Sequence, residues 1–299
     1  MLVADRARAL AALGRISYYR LSAYWYPFKK GDTIFEAGTS FDQALELYEF
    51  DRRLRLVVLD AIERVEILAR TLITYTFGHA YGAFAHADSA NFDITPRFSH
   101  GKWHQELLKE IERAKEKFLE HYQTNYIGFP TVPIWMASEV MSLGTLSRMF
   151  QGMRTADQKQ VLQSWNVHQS VAGSWLHSLS YVRNVCAHHG RLWNRELAIS
   201  PLSPKSSPDW PALSNKRVYA ILCILRHLTR SAHGGDEWAA SVRNLLAEMN
   251  GKPRWLNAMG VPAKWATHSF WREPSSLAGH KVRAYKVPRA LMHWKLKKA

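Results

Sequence analysis

Residues 180–195 read SYVRNVCAHHGRLWNR and set Arg183, Asn184, Cys186, His188 and His189 between Tyr181 and Trp193. Side chains of these types support three chemistries: metal ligation by thiolate and imidazole, attack by a thiolate nucleophile, and proton transfer by histidine. Helical spacing sorts them. With 175–191 wound as a helix, Trp175, Leu179, Val182 and Cys186 form an apolar stripe, while His177, Tyr181, Asn184, His188 and Arg191 follow one another on the other side at steps of three and four. A merely solvated face draws on Glu, Lys and Gln more than on His, Tyr and Asn.

A thiol on the apolar stripe is a packing group that meets no substrate, so Cys186 is not read as a nucleophile. Structural zinc sites use closely spaced ligand knuckles, and neither Cys186 with His188 and His189 nor Cys223 with His227 shows that spacing. No metal and no cofactor is expected. Serine-hydrolase elbows and glycine-rich phosphate loops do not occur in the chain. Acid–base chemistry by histidine is left, and it suits phosphodiester cleavage in RNA. An imidazole at His188 can take the proton of the ribose 2′-OH or return one to the leaving oxygen. The guanidinium of Arg183, flanking the polar stripe, can stabilise charge gathering on the phosphoryl oxygens. Asn184, one turn before His188, can orient the imidazole or bind a phosphate oxygen. His189 continues the apolar stripe, which predicts a structural role for it.

Five residues separate Arg183 from His188, which turns them about 140° apart on a regular helix. One protomer does not easily aim both at one phosphate, and in-line cleavage asks for two proton-transfer groups. A homodimer pairing two copies of the 177–191 helix is therefore expected, with a composite site.

The elements that must position these residues read as helices throughout, which predicts an all-α fold. Ser40 and Gln43 have the spacing of a capping box, and Leu45, Tyr48, Leu54, Val58, Ile62, Val65, Leu68 and Leu72 continue a helix to a stop at Gly78. Its "DRRLR" run reads as a solvated face, with Arg52, Arg53 and Arg55 available to RNA. A second helix is predicted over 100–122, and a third from Pro133, interrupted or capped at Gly144. Further helices are predicted over 156–165, 168–189, 216–232 and 236–249, the 168–189 helix ending near Gly190, with a proline-rich loop over 200–215. No strand signal and no fixed-period repeat is present.

The chain has 299 residues, a hydrophobic fraction of 47% and a formal net charge of +15, with twelve each of Trp, Tyr and Phe. Such a chain buries a substantial core, and its surface attracts polyanions and offers rings for stacking, which favours RNA over DNA or lipid. Two cysteines make no disulfide framework, and no apolar run is long enough to cross a membrane, so a cytoplasmic protein is expected. Residues 272–299 hold eight Lys and Arg against one Glu and read as a basic tail that orders on a partner.

The "RNVCAH" sequence of Arg183, Asn184 and His188 resembles the Arg-x4–6-His signature of HEPN ribonucleases, and the fuller "VRNVCAHHGRLWNR" resembles the abortive-infection AbiD/AbiF branch of that superfamily. The bare pattern also recurs at Arg97 with His104 and at Arg226 with His233, so specificity comes from longer stretches. "ISYYRLSAYWYPF" at 16–28, "YEFDRRLRLVVLDAIERVEILAR" at 48–70, "PIWMASEVMSLGTLSRMF" at 133–150 and "MGVPAKWATHSFW" at 259–271 are similar to that branch in the same order. Members generally carry a further helical segment ahead of the position of Met1, and the tail lies outside the resemblance. The resemblance implies a HEPN-type helical bundle with additional helices, one domain over 1–271, and a metal-independent, toxin-like ribonuclease of phage defence. It further implies a dimer that a noncoding RNA controls in some members. Arg183, Asn184 and His188 carry over as the active-site set, and His189, Arg191, Trp193 and Asn194 match the branch without an assigned role. RNA contacts are expected from His177, Tyr181, His189, Arg191, Trp193, Asn194 and Arg195, and from Arg52 and Arg53. The competing reading is a non-catalytic protein whose polar stripe holds a structured small RNA.

Overall fold

Two short helices lead the chain, α1 (Arg6–Ile16) and α2 (Tyr18–Trp25), parted at Ser17, whose hydroxyl accepts from the Arg20 N–H and caps the second. The structure, a computed structural model, describes residues 1–31, 34–204, 210, 213–230 and 234–272. His233 and residues 273–299, which include nearly all of the basic tail, lie outside the described residues. A pair of two-residue antiparallel strands follows α2, β1 (Lys29–Lys30) and β2 (Ile34–Phe35). They escape sequence reading because two residues are too few to show an alternating period.

The axis of the molecule is α3 (Phe41–Tyr81), 41 residues or roughly 60 Å long. Its start is the expected capping box: the Ser40 hydroxyl accepts from the Gln43 N–H, and the Gln43 side chain accepts from the Ser40 N–H. Its end lies beyond the expected stop, because Gly78 stays helical and Gly82, at φ 93°, closes the helix instead. Leu54, Val58, Ile62 and Val65 are buried as predicted, but Leu45, Tyr48, Leu68 and Leu72 are half-buried, and the stripe includes Leu47, Phe50, Ala61, Ala69, Ile73 and Phe77. The "DRRLR" run is not a solvated face: Asp51 and Arg55 are buried in that stripe.

The helix expected over 100–122 is two, α4 (His100–Arg113) and α5 (Lys117–Asn125), broken where Ala114 turns to extended backbone. From Pro133 run α6 (Ile134–Val140) and α7 (Leu143–Gly152), parted at Met141–Ser142 and not at Gly144, which lies inside α7. The Ser142 hydroxyl caps α7 by accepting from the Thr145 N–H. Then come α8 (Thr155–Val161), α9 (Gln169–Ala187), α10 (Val218–Thr229), α11 (Gly235–Ala247) and α12 (Pro253–Met259). Helices thus dominate the described residues, and the fold is all-α. The proline-rich connection is tied down where it is described: Trp175 Nε1–H donates to the Leu202 carbonyl at 2.8 Å, and Trp210 stacks on Trp175 at 5.3 Å.

Helix α3 packs against α2, α6, α8, α9, α10 and α11, so one contiguous cluster of buried side chains surrounds it. The face of α9 that carries Trp175, Leu179, Val182 and Cys186 is fully buried, and truncating Trp175 alone removes about 3–5 kcal/mol. Burial of one face fixes which face of α9 looks outward. Among the described residues no helix is long and apolar enough to cross a membrane.

Candidate active site

The last turn of α9 ends in a hydrogen-bonded cap built without glycine at its key position. The His189 N–H donates to the Cys186 carbonyl at 3.0 Å and the Gly190 N–H to the Val185 carbonyl at 2.8 Å, the pairing of a Schellman motif. The residue in the left-handed region is His189, at φ 57°, where glycine is usual. Helical periodicity stops at Ala187, so His189 does not continue the apolar stripe. It is exposed, and the expected structural role of its ring is corrected accordingly. Gly190 is held to glycine by space, since a Cβ there would stand 3.1 Å from the Val185 carbonyl oxygen and 3.2 Å from a Val185 methyl.

His177, Arg183, Asn184 and His188 are all exposed on α9 or at its end, and Tyr181 is half-buried beside them. Arg183 Nη1 donates to Asn184 Oδ1 at 3.4 Å, and the His188 N–H donates to the Asn184 carbonyl at 3.0 Å. Asn184 therefore links the guanidinium to the turn that carries the imidazole, while no direct contact joins Arg183 to His188. Cys186 beneath them is buried, and burial pushes its thiol up to about 12, which leaves it a protonated packing group.

The segment after the turn is a clamp. Asp51, fully buried on α3, accepts from the Leu192 N–H at 3.1 Å, the Trp193 N–H at 2.7 Å, the Tyr24 hydroxyl at 2.6 Å and Arg55 Nη1 at 2.5 Å. Burial raises the Asp51 carboxyl from its usual range against the lowering pull of those four donors, and it drives the Tyr24 hydroxyl upward too. From α2, Arg20 Nη1 donates to the His189 carbonyl at 2.8 Å, and Arg191 reaches back to the Ala23 carbonyl. The turn bearing His188 and His189 is thus fastened to α2 and α3 by charged groups.

Several residues expected at an RNA surface are part of this clamp. Trp193 is buried with its ring edge-on to Trp255 at 5.4 Å and presents no face for stacking. Arg195 Nε donates to the Arg191 carbonyl at 2.7 Å, and the Asn194 carbonyl accepts from Arg217 at 2.9 Å; both residues are half-buried. Arg53 forks onto Glu248 with two 2.6 Å bonds, whereas Arg52 is exposed. Sequence reading missed Asp51, Tyr24 and Arg20, and it offered Arg55 to RNA although that guanidinium is buried on Asp51. The available signal was Asp51 itself, a carboxylate at i+4 from Leu47 and i−3 from Leu54, inside the apolar stripe.

Among the described residues no group of three or more His, Cys, Asp or Glu is placed to hold a metal ion. A family model described as "Abi-like protein" matches residues 11–194, a span that runs from α1 through the capped turn and its clamp. No curated protein and no solved structure matches the chain.

Proposed function

The chain belongs to the Abi-like protein family, and from that premise we propose that it is a metal-independent endoribonuclease of phage abortive infection, of the HEPN type. The observation that carries this reading is the capped end of α9. Arg183, Asn184 and His188 stand exposed there, and the only side-chain bond among them runs from Arg183 to Asn184. Buried polar groups normally find partners, and exposed ones without partners are available to a ligand. His188 moves the proton, Arg183 meets the scissile phosphate, and Asn184 positions one relative to the other. The 2′-OH attacks the adjacent phosphorus, the bond to the 5′ oxygen breaks, and the products carry a 2′,3′-cyclic phosphate and a 5′-OH.

A second copy of the chain supplies the other proton-transfer group. A cognate noncoding RNA is the proposed restraint.

The test is cleavage of a labelled RNA by the protein and by His188→Ala. The variant should cleave slower by a factor on the order of 10² to 10⁴ while binding RNA about as well. A substrate with 2′-deoxyribose at the cleaved position should resist both proteins. Undiminished cleavage by His188→Ala, or cleavage of the deoxy substrate, would overturn the reading. RNA bound by both proteins and cleaved by neither would leave the non-catalytic alternative.

A further inference from the structure

About 17 Å along α9 from His188, eleven residues at 1.5 Å each, His177 borders a second feature that helical spacing alone does not reveal. A cleft of about 710 Å³ opens between the 95–98 turn, α7 and the first half of α9. Its polar walls include Arg97, Arg148, Gln151, His168, Gln169 and His177, and among the described residues no carboxylate lines it. Both arginines are exposed, and neither guanidinium makes a hydrogen bond or ion pair among the described residues. By contrast, Arg53, Arg55, Arg64, Arg70, Arg226 and Arg254 each hold a carboxylate. Two uncompensated guanidiniums facing one concavity form an electrostatic sink for anions.

The cleft is built rather than incidental. The turn that carries Arg97 is closed by the Phe98 N–H donating to the Thr95 carbonyl at 3.0 Å, and the buried Phe98 ring lies over Gly152. A Cβ on Gly152 would stand 2.2 Å from that ring, so the seat exists only because residue 152 is glycine. On the opposite wall, the Ser170 N–H donates to His168 Nδ1 at 3.3 Å. A backbone N–H can only donate, so Nδ1 of the neutral ring accepts and its proton sits on Nε2, the nitrogen left to donate elsewhere. Ser170, Gly173, Ser174 and His177 line the cleft from α9 at steps of three, one and three, the pattern of a single helix face with small side chains.

We propose that this cleft binds the phosphodiester backbone of single-stranded RNA and holds the strand along α9, with the scissile phosphate at His188. The inference rests on the ribonuclease reading for its far end only. Eleven residues of helix return to within about 20° of the starting direction, so His177 and His188 share one side of α9. A strand whose phosphates meet Arg97 and Arg148 continues past His177 and Tyr181 to Asn184 and His188 without crossing the helix. Two guanidiniums with no described carboxylate beside them suit the phosphate oxygens of a single backbone tracked along a basic groove.

The experiment measures binding of a fluorescent single-stranded oligouridine against salt, for the full chain and for Arg97→Gln/Arg148→Gln, with cleavage assayed in parallel. Removing two guanidiniums from the phosphates should lower the slope of log affinity against log salt by about 1.4, and weaken binding about tenfold or more at low salt. Cleavage at subsaturating RNA should fall in step with the lost affinity, since neither arginine touches the reacting phosphate. Both arginines are exposed and unpaired, so thermal unfolding should not shift appreciably. Equal affinity and equal slope in the double variant would overturn the cleft, even if the protein cleaves RNA. Binding with the expected slope change and no cleavage would support the cleft and overturn the ribonuclease reading. An equal dependence on the two arginines for duplex DNA would overturn the assignment to single-stranded RNA.

Discussion

His86, His100 and His104 cluster beside α4, while His177, His188 and His189 project from α9 and its cap into solvent. The first group is packed as aromatics. His100 stacks on His104 at 5.5 Å, His104 meets His86 edge-on at 6.3 Å, and Phe92 and Trp103 stand against His100. Burial, with His104 and His100 adding to it, lowers His86 to about 4, a shift the Ala83 carbonyl only partly offsets; burial also pushes His104 down. His86 and His104 thus resist taking up charge, and all three rings serve as packing wedges. The α9 group is exposed, shares its helix with Arg183 and lies along the line of the Arg97–Arg148 cleft. Histidine richness therefore marks no site by itself. What distinguishes the second group is exposure, unpaired arginines nearby, and a scaffold held by a buried charge on another helix.

That last point gives the largest expected effect. If the exposed histidines depend on the clamp beneath them, Asp51→Ala should lower unfolding stability by about 3–5 kcal/mol, because Arg55, Tyr24 and two backbone N–H groups lose their acceptor at once. Denaturant unfolding reads this as a fall in midpoint, and RNA cleavage should fall with it. A loss below about 1 kcal/mol would mean that the turn supports itself, and the contrast between the two groups would lose its physical basis.

The buried group makes the second prediction, through acid. An unfolded His86 titrates near its ordinary value of 6.5, but in the fold it stays neutral down to about 4. The folded state thus binds fewer protons than the unfolded one across that window. The contribution is complete above pH 6.5 and is lost as pH falls toward 4, with a ceiling of about 3 kcal/mol. Carboxylates add their own acid sensitivity, so the informative quantity is a difference between proteins. His86→Leu should lose about 2–3 kcal/mol less than the parent between neutral pH and about pH 4.5, by urea unfolding at each pH. An identical pH slope would show that His86 takes up its proton as readily in the fold as in the unfolded chain, and the wedge description would fail.

How much of this was legible in the sequence depends on what kind of signal each feature leaves. The capping box at Ser40 and Gln43 and the apolar face of α9 are local patterns, and both were readable. The break between α4 and α5 was not, since Leu107, Ile111, Ala114 and Phe118 keep helical spacing straight across it with no Gly or Pro to mark a stop. Asp51 failed for a different reason. Its partners Tyr24, Leu192 and Trp193 are 27, 141 and 142 residues away, so only the folded chain turns a polar run into a buried clamp. Arg97 and Arg148 are likewise joined by tertiary packing alone. The shared exposure of Arg183, Asn184 and His188 was readable because they lie within two turns of one helix; the clamp beneath them was not.

The smallest effect is the most discriminating, and it concerns His189. A side chain at φ 57° carries strain of about 1 kcal/mol that glycine would not, while glycine gives back part of that gain through a freer unfolded chain. The backbone bonds of the turn, from the His189 N–H to Cys186 and from Arg20 to the His189 carbonyl, survive the substitution. His189→Gly should therefore raise stability by about 0.5–1 kcal/mol, measured by thermal unfolding. Two results for cleavage then separate two sites. If the rate is unchanged while His188→Ala loses a factor on the order of 10² to 10⁴, proton transfer runs through one imidazole per chain, and the second must come from a partner protomer. If His189→Gly costs as much as His188→Ala at equal RNA binding, the adjacent rings supply both proton-transfer groups within one chain. A mixed dimer with one chain carrying His188→Ala and Arg183→Ala decides between them: near-total loss requires the composite site, and half activity requires the self-contained one.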